Sequence, residues 1–114
     1  MMVLWEIKGI GKNGVWEMKK IIGNKLYDTE KAEKIYSFMQ KRKTFKIGNT
    51  QFFKWYDVDV YKTKKENYFI YGYSDDTTTQ PFIEETTLEE IKKIIKIIDP
   101  DKYIEMGFND FEEA

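Results

Sequence analysis

Two carboxylates on one predicted strand have a spacing that could support metal-ion chemistry. Asp57 and Asp59 stand two positions apart, so both side chains point to the same face of a strand, as the binding of a hard metal ion requires. A magnesium-dependent nuclease built on this pair would need a third carboxylate and a lysine, for which Lys54 or Lys62 is available. The alternative is that acids and lysines alternate there only to keep an exposed sheet face solvated. Asp57 and Asp59 are therefore the candidate metal ligands, with that alternative left open.

The missing residue types restrict the remaining chemistry. The 114-residue chain contains no cysteine and no histidine, which excludes disulfides, thiol nucleophiles, Cys- or His-bound zinc and imidazole acid–base steps. Serine occurs only at Ser37 and Ser74. The composition therefore argues against an enzyme, and we expect neither a catalytic residue nor a cofactor.

A second pattern interleaves basic and aromatic side chains along the middle of the chain. Lysines neutralise phosphates and release counterions, and exposed aromatic rings stack on unpaired bases. A single arginine among the 19 basic residues argues against sequence-specific reading of base edges. The candidate contact residues for a nucleic acid or a partner protein are Arg42, Lys54, Trp55, Tyr61, Lys62, Lys64 and Lys65.

Charge is distributed unevenly along the chain. Residues 1–73 carry 15 basic and 8 acidic side chains, whereas residues 74–114 carry 4 basic and 12 acidic ones. The second part could imitate a phosphate track and bind a basic protein groove, or it could be a solvated helix surface with a frayed tail. The candidate acidic contact residues are Asp75, Asp76, Glu84, Glu85, Glu112 and Glu113.

Two elements are predicted before the basic region. An N-terminal hairpin is expected over 3–22 with its turn at Asn13-Gly14. The G-x-G-x-x-G spacing at 9–14 is interpreted as part of this turn, because a strand-like segment follows where a dinucleotide site would have a helix. A helix is then predicted over about 28–43, since the apolar residues from Ala32 to Met39 follow helical spacing and Asp28 can cap its start.

Strands are predicted at 44–47, 51–61 and 68–73, with hairpin turns at Gly48-Asn49 and around 64–67. A last helix is predicted to begin at Thr87 and end before Pro100, which can start a short second turn of helix. On the strand 51–61, alternation assigns Tyr56, Val58 and Val60 to the core, and Trp55, Asp57, Asp59 and Tyr61 to solvent.

The predicted order is β-β-α-β-β-β-α with short connections, which force antiparallel pairing. We therefore expect one α+β domain over 1–114, in which an antiparallel sheet of about five strands is backed by two helices. Its parts would be an N-terminal hairpin at 1–23, a core at 24–104 and an acidic tail at 105–114.

Neither a signal-peptide-like apolar run nor a stretch of about 20 apolar residues occurs in the sequence. The expected location is therefore the cytoplasm of a bacterial host cell, and no membrane partner is expected.

Four runs of sequence support a resemblance to a known family. They are Asn24–Ala32, Val60–Lys65, Asn67–Gly72 and Leu88–Lys92. Together they resemble small proteins carried by phages and conjugative elements of low-GC Gram-positive bacteria, some of which are anti-CRISPR proteins acting against type II-A systems. The resemblance implies a CRISPR effector nuclease, its guide RNA, or both as partners. The matched positions that it offers as a contact surface are Tyr61, Lys62, Lys64 and Lys65.

The expected function is therefore an anti-CRISPR-type inhibitor that binds an RNA-guided type II effector nuclease or its guide RNA. A metal-dependent nuclease that trims RNA through Asp57 and Asp59 is one alternative. A general phage or mobile-element regulator that binds nucleic acid is the other. The oligomeric state stays open.

Overall fold

The computed structural model describes residues 4–10, 16–76 and 79–114, with side chains from Met18 onward. Within these ranges the chain forms seven strands and two helices. They are β1 (Leu4–Ile10), β2 (Trp16–Ile22), β3 (Lys25–Asp28), β4 (Glu33–Ile47), β5 (Thr50–Lys62), β6 (Tyr68–Tyr73), β7 (Phe82–Thr86), α1 (Leu88–Ile98) and α2 (Pro100–Glu105). The α+β class with antiparallel sheet and helical backing is confirmed.

The strands form two antiparallel sheets, ordered β1-β2-β3 and β4-β5-β6-β7. The four-stranded sheet has a hydrophobic core on each face. On one face, Met18 and Tyr27 of the smaller sheet pack against Phe69 and Ile83. The other face carries the second core, where α1 and α2 pack on the sheet. The residues buried in that second core are Val60, Ile91, Ile95 and Tyr103.

The helix predicted over 28–43 is wrong, because this segment is a turn followed by the 15-residue strand β4. The amide of Glu30 donates to the Asp28 side chain at 3.0 Å, and the amide of Ala32 donates to the Asp28 carbonyl. This single turn, capped as expected, does not continue as a helix. A register irregularity at Ile35 lets Ile35 and Tyr36 both contact the helix-side core, which imitates helical spacing in the sequence.

The N-terminal strands β1 and β2 pair antiparallel as predicted; their turn at Asn13-Gly14 lies outside the described residues. The strand β3 was missed. It pairs with β2 through the two-residue turn Gly23-Asn24, where Gly23 has a φ of 61°. This turn gives the hairpin a third strand, which continues directly into the Asp28 turn and β4.

Burial on β5 corrects half of the predicted outward face. Val58 and Val60 are buried as expected, and Trp55 is exposed. Asp59 and Tyr61, predicted to face solvent, are only 3% and 7% exposed. The cause is the three-stranded sheet, which covers this face of β5. The predicted solvent-facing side would require the four-stranded sheet to be packed on one face only, but it is packed on both.

The C-terminal helices begin where the sequence predicted. The Thr87 side chain accepts a hydrogen bond from the Glu90 amide, and Asp99 does the same for the Lys102 amide at the start of α2. The acidic tail is held against the helices, where the Tyr103 hydroxyl and the Lys92 ammonium both contact the Asp110 carboxylate. Among the helices of the described residues, none is long and apolar enough to cross a membrane.

Candidate nucleic-acid interface

Four lysines from two separate segments line one hollow beside the β5–β6 turn. The hollow has a volume of about 380 Å³ and is bordered by Asn24 and Asn67 as well as by the lysines. An adjoining hollow of about 410 Å³ adds Lys62 at the rim. We call this site the lysine pocket, and define it by Lys25, Lys31, Lys64 and Lys65.

The turn that carries Lys64 and Lys65 is fixed by its own backbone. The Thr63 amide donates to the Asn67 carbonyl at 2.8 Å, and the Thr63 hydroxyl accepts from the Asn67 amide at 3.0 Å. Glu66 lies in this turn with a φ of 62°, a left-handed conformation that L-residues other than glycine rarely adopt. The two lysines are therefore held on a short rigid turn.

The lysine pocket keeps most of its positive charge. Lys31, Lys64 and Lys65 form no ion pair with any side chain described from Met18 onward. Lys25 makes one long contact, at 3.5 Å, with the Asn67 side chain. The Asp28 carboxylate also lines the hollow, but it is buried and accepts the Glu30 amide. The ammonium groups can therefore contact an anion without first breaking a salt bridge.

Lys62 differs from its neighbours because its ammonium lies 3.7 Å from the Glu66 carboxylate. Tyr61, also predicted to contact a partner, is buried and stacks on Phe69 with ring centroids 5.1 Å apart. Burial raises its pKa above the ordinary tyrosine range, with the Asp59 charge adding to the effect. Within the matched run 60–65, Lys64 and Lys65 are thus the side chains placed in the lysine pocket without an ion pair.

The second basic region is a two-stranded extension of β4 and β5. Pairing of β5 with β6 begins at Asp57, so residues 40–56 of the β4–β5 hairpin extend beyond β6. We call these residues the arm. The arm contains five basic residues and no acidic one.

Arg42 and Lys54 anchor the base of the arm. The Arg42 guanidinium pairs with the Glu84 carboxylate at 2.5 Å and lies 3.9 Å from the centre of the Phe82 ring. The Lys54 ammonium pairs with Asp76 at 2.6 Å. Two of the predicted basic contact residues are thus joined to two of the predicted acidic ones inside the molecule.

The six predicted acidic residues are not brought together. Glu84 and Glu85 are neighbours on β7 and point to opposite faces. Glu84 reaches the arm, whereas Glu85 lies near Tyr27, whose pKa is raised to about 12 by burial and then by that carboxylate. Asp75 is exposed in the loop after β6, and Asp76 is the partner of Lys54. Glu112 and Glu113 are exposed near the chain end.

Asp57 and Asp59 share one face of β5, as predicted, and line a cleft of about 280 Å³ with Ser37 and Tyr73. The Ser37 hydroxyl donates to the Asp59 carboxylate at 2.7 Å. Burial raises the pKa of Tyr73, and the two aspartates add to the shift. Among the described residues no group of three or more acidic side chains is placed to hold a metal ion. The third carboxylate that the nuclease hypothesis needs is therefore not at this pair within those residues.

Sequence reasoning missed Lys25 and Lys31, which lie more than 30 residues before Lys64. The local signal that could have found Lys25 is the Gly23-Asn24 dipeptide, because a hairpin turn there turns β3 back along β2. Lys31 reaches the pocket because β4 pairs with β5, with Glu33 opposite Lys62.

The comparisons with known proteins give no relative: no family model, no curated protein and no solved structure matches the chain.

Proposed function

We propose that this protein acts by binding nucleic acid and not by turning over a substrate. The observation that carries the proposal is the lysine pocket, where Lys31, Lys64 and Lys65 meet without an ion pair among the described side chains. Lysines held in this way release counterions when phosphates replace the solvent around them.

The proposed target is an RNA-guided type II effector nuclease together with its guide RNA, so that the protein is an anti-CRISPR-type inhibitor. This part of the proposal rests on the resemblance of the runs at 24–32 and 60–72 to small mobile-element proteins. The lysine pocket supports it, because those two runs contribute all four of its lysines. Such effectors hold their guide duplex through its backbone shape and charge, which a phosphate-binding surface can engage.

The first experiment measures binding of a fluorescein-labelled guide RNA by anisotropy over a series of salt concentrations. The test variant is Lys64→Glu/Lys65→Glu. The matched control is Lys93→Glu/Lys102→Glu, which has the same change in net charge but alters lysines that pair on the helix surface with Glu90 and Glu105.

We expect the test variant to lose at least about tenfold in affinity at low salt, and its plot of log K against log salt to flatten by about 1.4, since each single-strand phosphate contact contributes about 0.7. The control variant should stay within about twofold of wild type. Equal losses in both variants would contradict the proposal, because only overall charge would then matter.

The second experiment adds the protein to guide-directed DNA cleavage by a type II-A effector nuclease. Wild type should inhibit cleavage, and Lys64→Glu/Lys65→Glu should inhibit less. RNA binding without inhibition would instead indicate a general regulator that binds nucleic acid. The same reactions show whether guide RNA stays intact in magnesium; cleavage abolished by Asp57→Asn would overturn the non-catalytic function.

A further inference from the structure

One face of the arm exposes aromatic rings that contribute to neither core. Phe53 and Trp55 are two residues apart on β5, so both point to the same face, about 6.7 Å apart along the strand. They are 48% and 57% exposed. Met39, which lies on the same face of β4 just outside the arm and opposite Asp57, is 56% exposed. Large apolar side chains grouped in this way usually mark a binding surface.

Lysines stand directly opposite these rings. The register pairs Lys41 with Trp55 and Lys43 with Phe53, and cross-strand partners share a face. The Lys41 ammonium lies 4.6 Å from the centre of the Phe53 ring. Neither lysine forms an ion pair with any described side chain. The face thus has an aromatic row along β5 and a positively charged row along β4.

The combination of exposed rings and unpaired lysines indicates which kind of ligand this face can bind. The cores of protein–protein interfaces are depleted in lysine, which costs free energy to desolvate without a partner. A second copy would bring its own acid-free arm against this one, and lysines on an edge strand such as β4 act against edge-to-edge pairing. Unpaired nucleotides satisfy both rows, because bases stack on the rings while phosphates meet the ammonium groups.

We propose that the face of the arm formed by Lys41, Lys43, Phe53 and Trp55 is a stacking platform for unpaired bases of single-stranded nucleic acid. The inference rests on the proposed function and deepens it by naming the single strand as the preferred ligand. It also assigns the recognition of bases to a site distinct from the lysine pocket, which lies at the other end of β5. The platform takes RNA and DNA alike, because stacking uses the bases and does not depend on the 2′-hydroxyl.

The test compares oligo(U) and oligo(dT) of 15 nucleotides with a duplex of the same length, all labelled and measured by anisotropy. The test variant is Phe53→Ala/Trp55→Ala. The matched control is Phe45→Ala/Phe52→Ala, which removes two exposed rings that stack on each other with centroids 4.6 Å apart. Phe52 points to the opposite face of the arm from Phe53.

We expect the test variant to bind both single strands at least about tenfold more weakly, since stacking on one aromatic side chain contributes about that factor or more. Its duplex affinity should change by less than about twofold, and the control variant should bind every ligand nearly as wild type does. Thermal unfolding checks that both variants remain folded.

Three outcomes overturn the stacking platform. Single-strand affinity could be unchanged in Phe53→Ala/Trp55→Ala, or it could fall equally in the control. Light scattering could show that wild type is a dimer and the test variant a monomer with unchanged single-strand affinity, which would assign the face to self-association. If wild type bound none of the three ligands, the proposed function itself would fail; single-strand binding that survives the ring deletions defeats the platform alone.

Discussion

Substitution of Gly72 by alanine tests how the arm is attached to the body of the protein. Gly72 lies in β6 opposite Val58 and Phe82, and it is buried. An added Cβ would lie within 2.8 Å of three carbons of the Phe82 ring. The ring cannot move freely, because it packs on Tyr56 with centroids 5.2 Å apart and lies under the Arg42 guanidinium.

The magnitude follows from these contacts. Forcing one extra methyl group into a packed site costs about 1–3 kcal/mol. If the ring is displaced instead, it loses an aromatic pair of about 0.5–1.5 kcal/mol and a cation–π contact of about 0.5–1 kcal/mol. Alanine returns about 0.5–1 kcal/mol relative to glycine within a strand. We therefore expect Gly72→Ala to lower the free energy of unfolding by about 1 kcal/mol, and Tm by about 4 °C.

The assay is a double-mutant cycle measured by thermal and urea unfolding of wild type, Gly72→Ala, Phe82→Ala and the double variant. Once the Phe82 ring is removed, the three closest contacts of the added Cβ are gone, so the cost of Gly72→Ala should fall sharply. An equal cost of Gly72→Ala in both backgrounds would refute the reasoning, because the penalty would then come from the strand backbone and not from the ring.

Two further predictions concern the turn at Glu66 and the tail at Asp110. Glu66→Gly should raise the free energy of unfolding by about 1 kcal/mol in urea unfolding, because glycine adopts the left-handed φ of 62° without the steric cost of about 1–2 kcal/mol; an unchanged midpoint would contradict this. Hydrogen bonds from the Tyr103 hydroxyl and from Lys92 lower the pKa of Asp110 to about 2. Its ionised form therefore stabilises the fold above the unfolded pKa near 4, and this contribution is lost as the pH falls from about 4 to 2. In thermal unfolding, the variant Asp110→Asn should be less stable than wild type at pH 6 and should lose less stability than wild type between pH 4 and pH 2. Equal pH profiles for the two proteins would contradict the role given to Asp110.

The sequence predicted the turns at Gly48-Asn49 and around 64–67 and the last helices, because their signals are local. Turn residues, helix caps and proline act within a few residues, and Thr87 and Asp99 cap as expected. The predicted helix over 28–43 failed for a non-local reason. Tyr36 and Phe38 pair with Val60 and Val58 on β5, and the periodicity of one segment carries no information about the strand that it pairs with.

The candidate site shows the same division. Lys64 and Lys65 were predicted as contact residues from the local run of basic and aromatic side chains and from the family resemblance. Lys25 joins them on β3, a strand that the sequence reasoning missed, and Lys31 joins them because β4 pairs with β5, with Glu33 opposite Lys62. Arg42 was proposed as a contact residue on local charge alone, and its pairing with Glu84 spans 42 residues.

The placement of the acidic side chains explains why free positive charge remains at two separate places. Asp76 and Glu84 neutralise Lys54 and Arg42 at the base of the arm, so they attach the arm instead of forming part of a separate acidic contact surface. Unpaired lysines are then left in the outer arm and in the lysine pocket, at opposite ends of β5. About eight strand residues separate Trp55 from the β5–β6 turn, a distance of about 26 Å. Because one strand joins the two sites, a nucleic acid long enough to reach both would bind the second site at a high effective concentration.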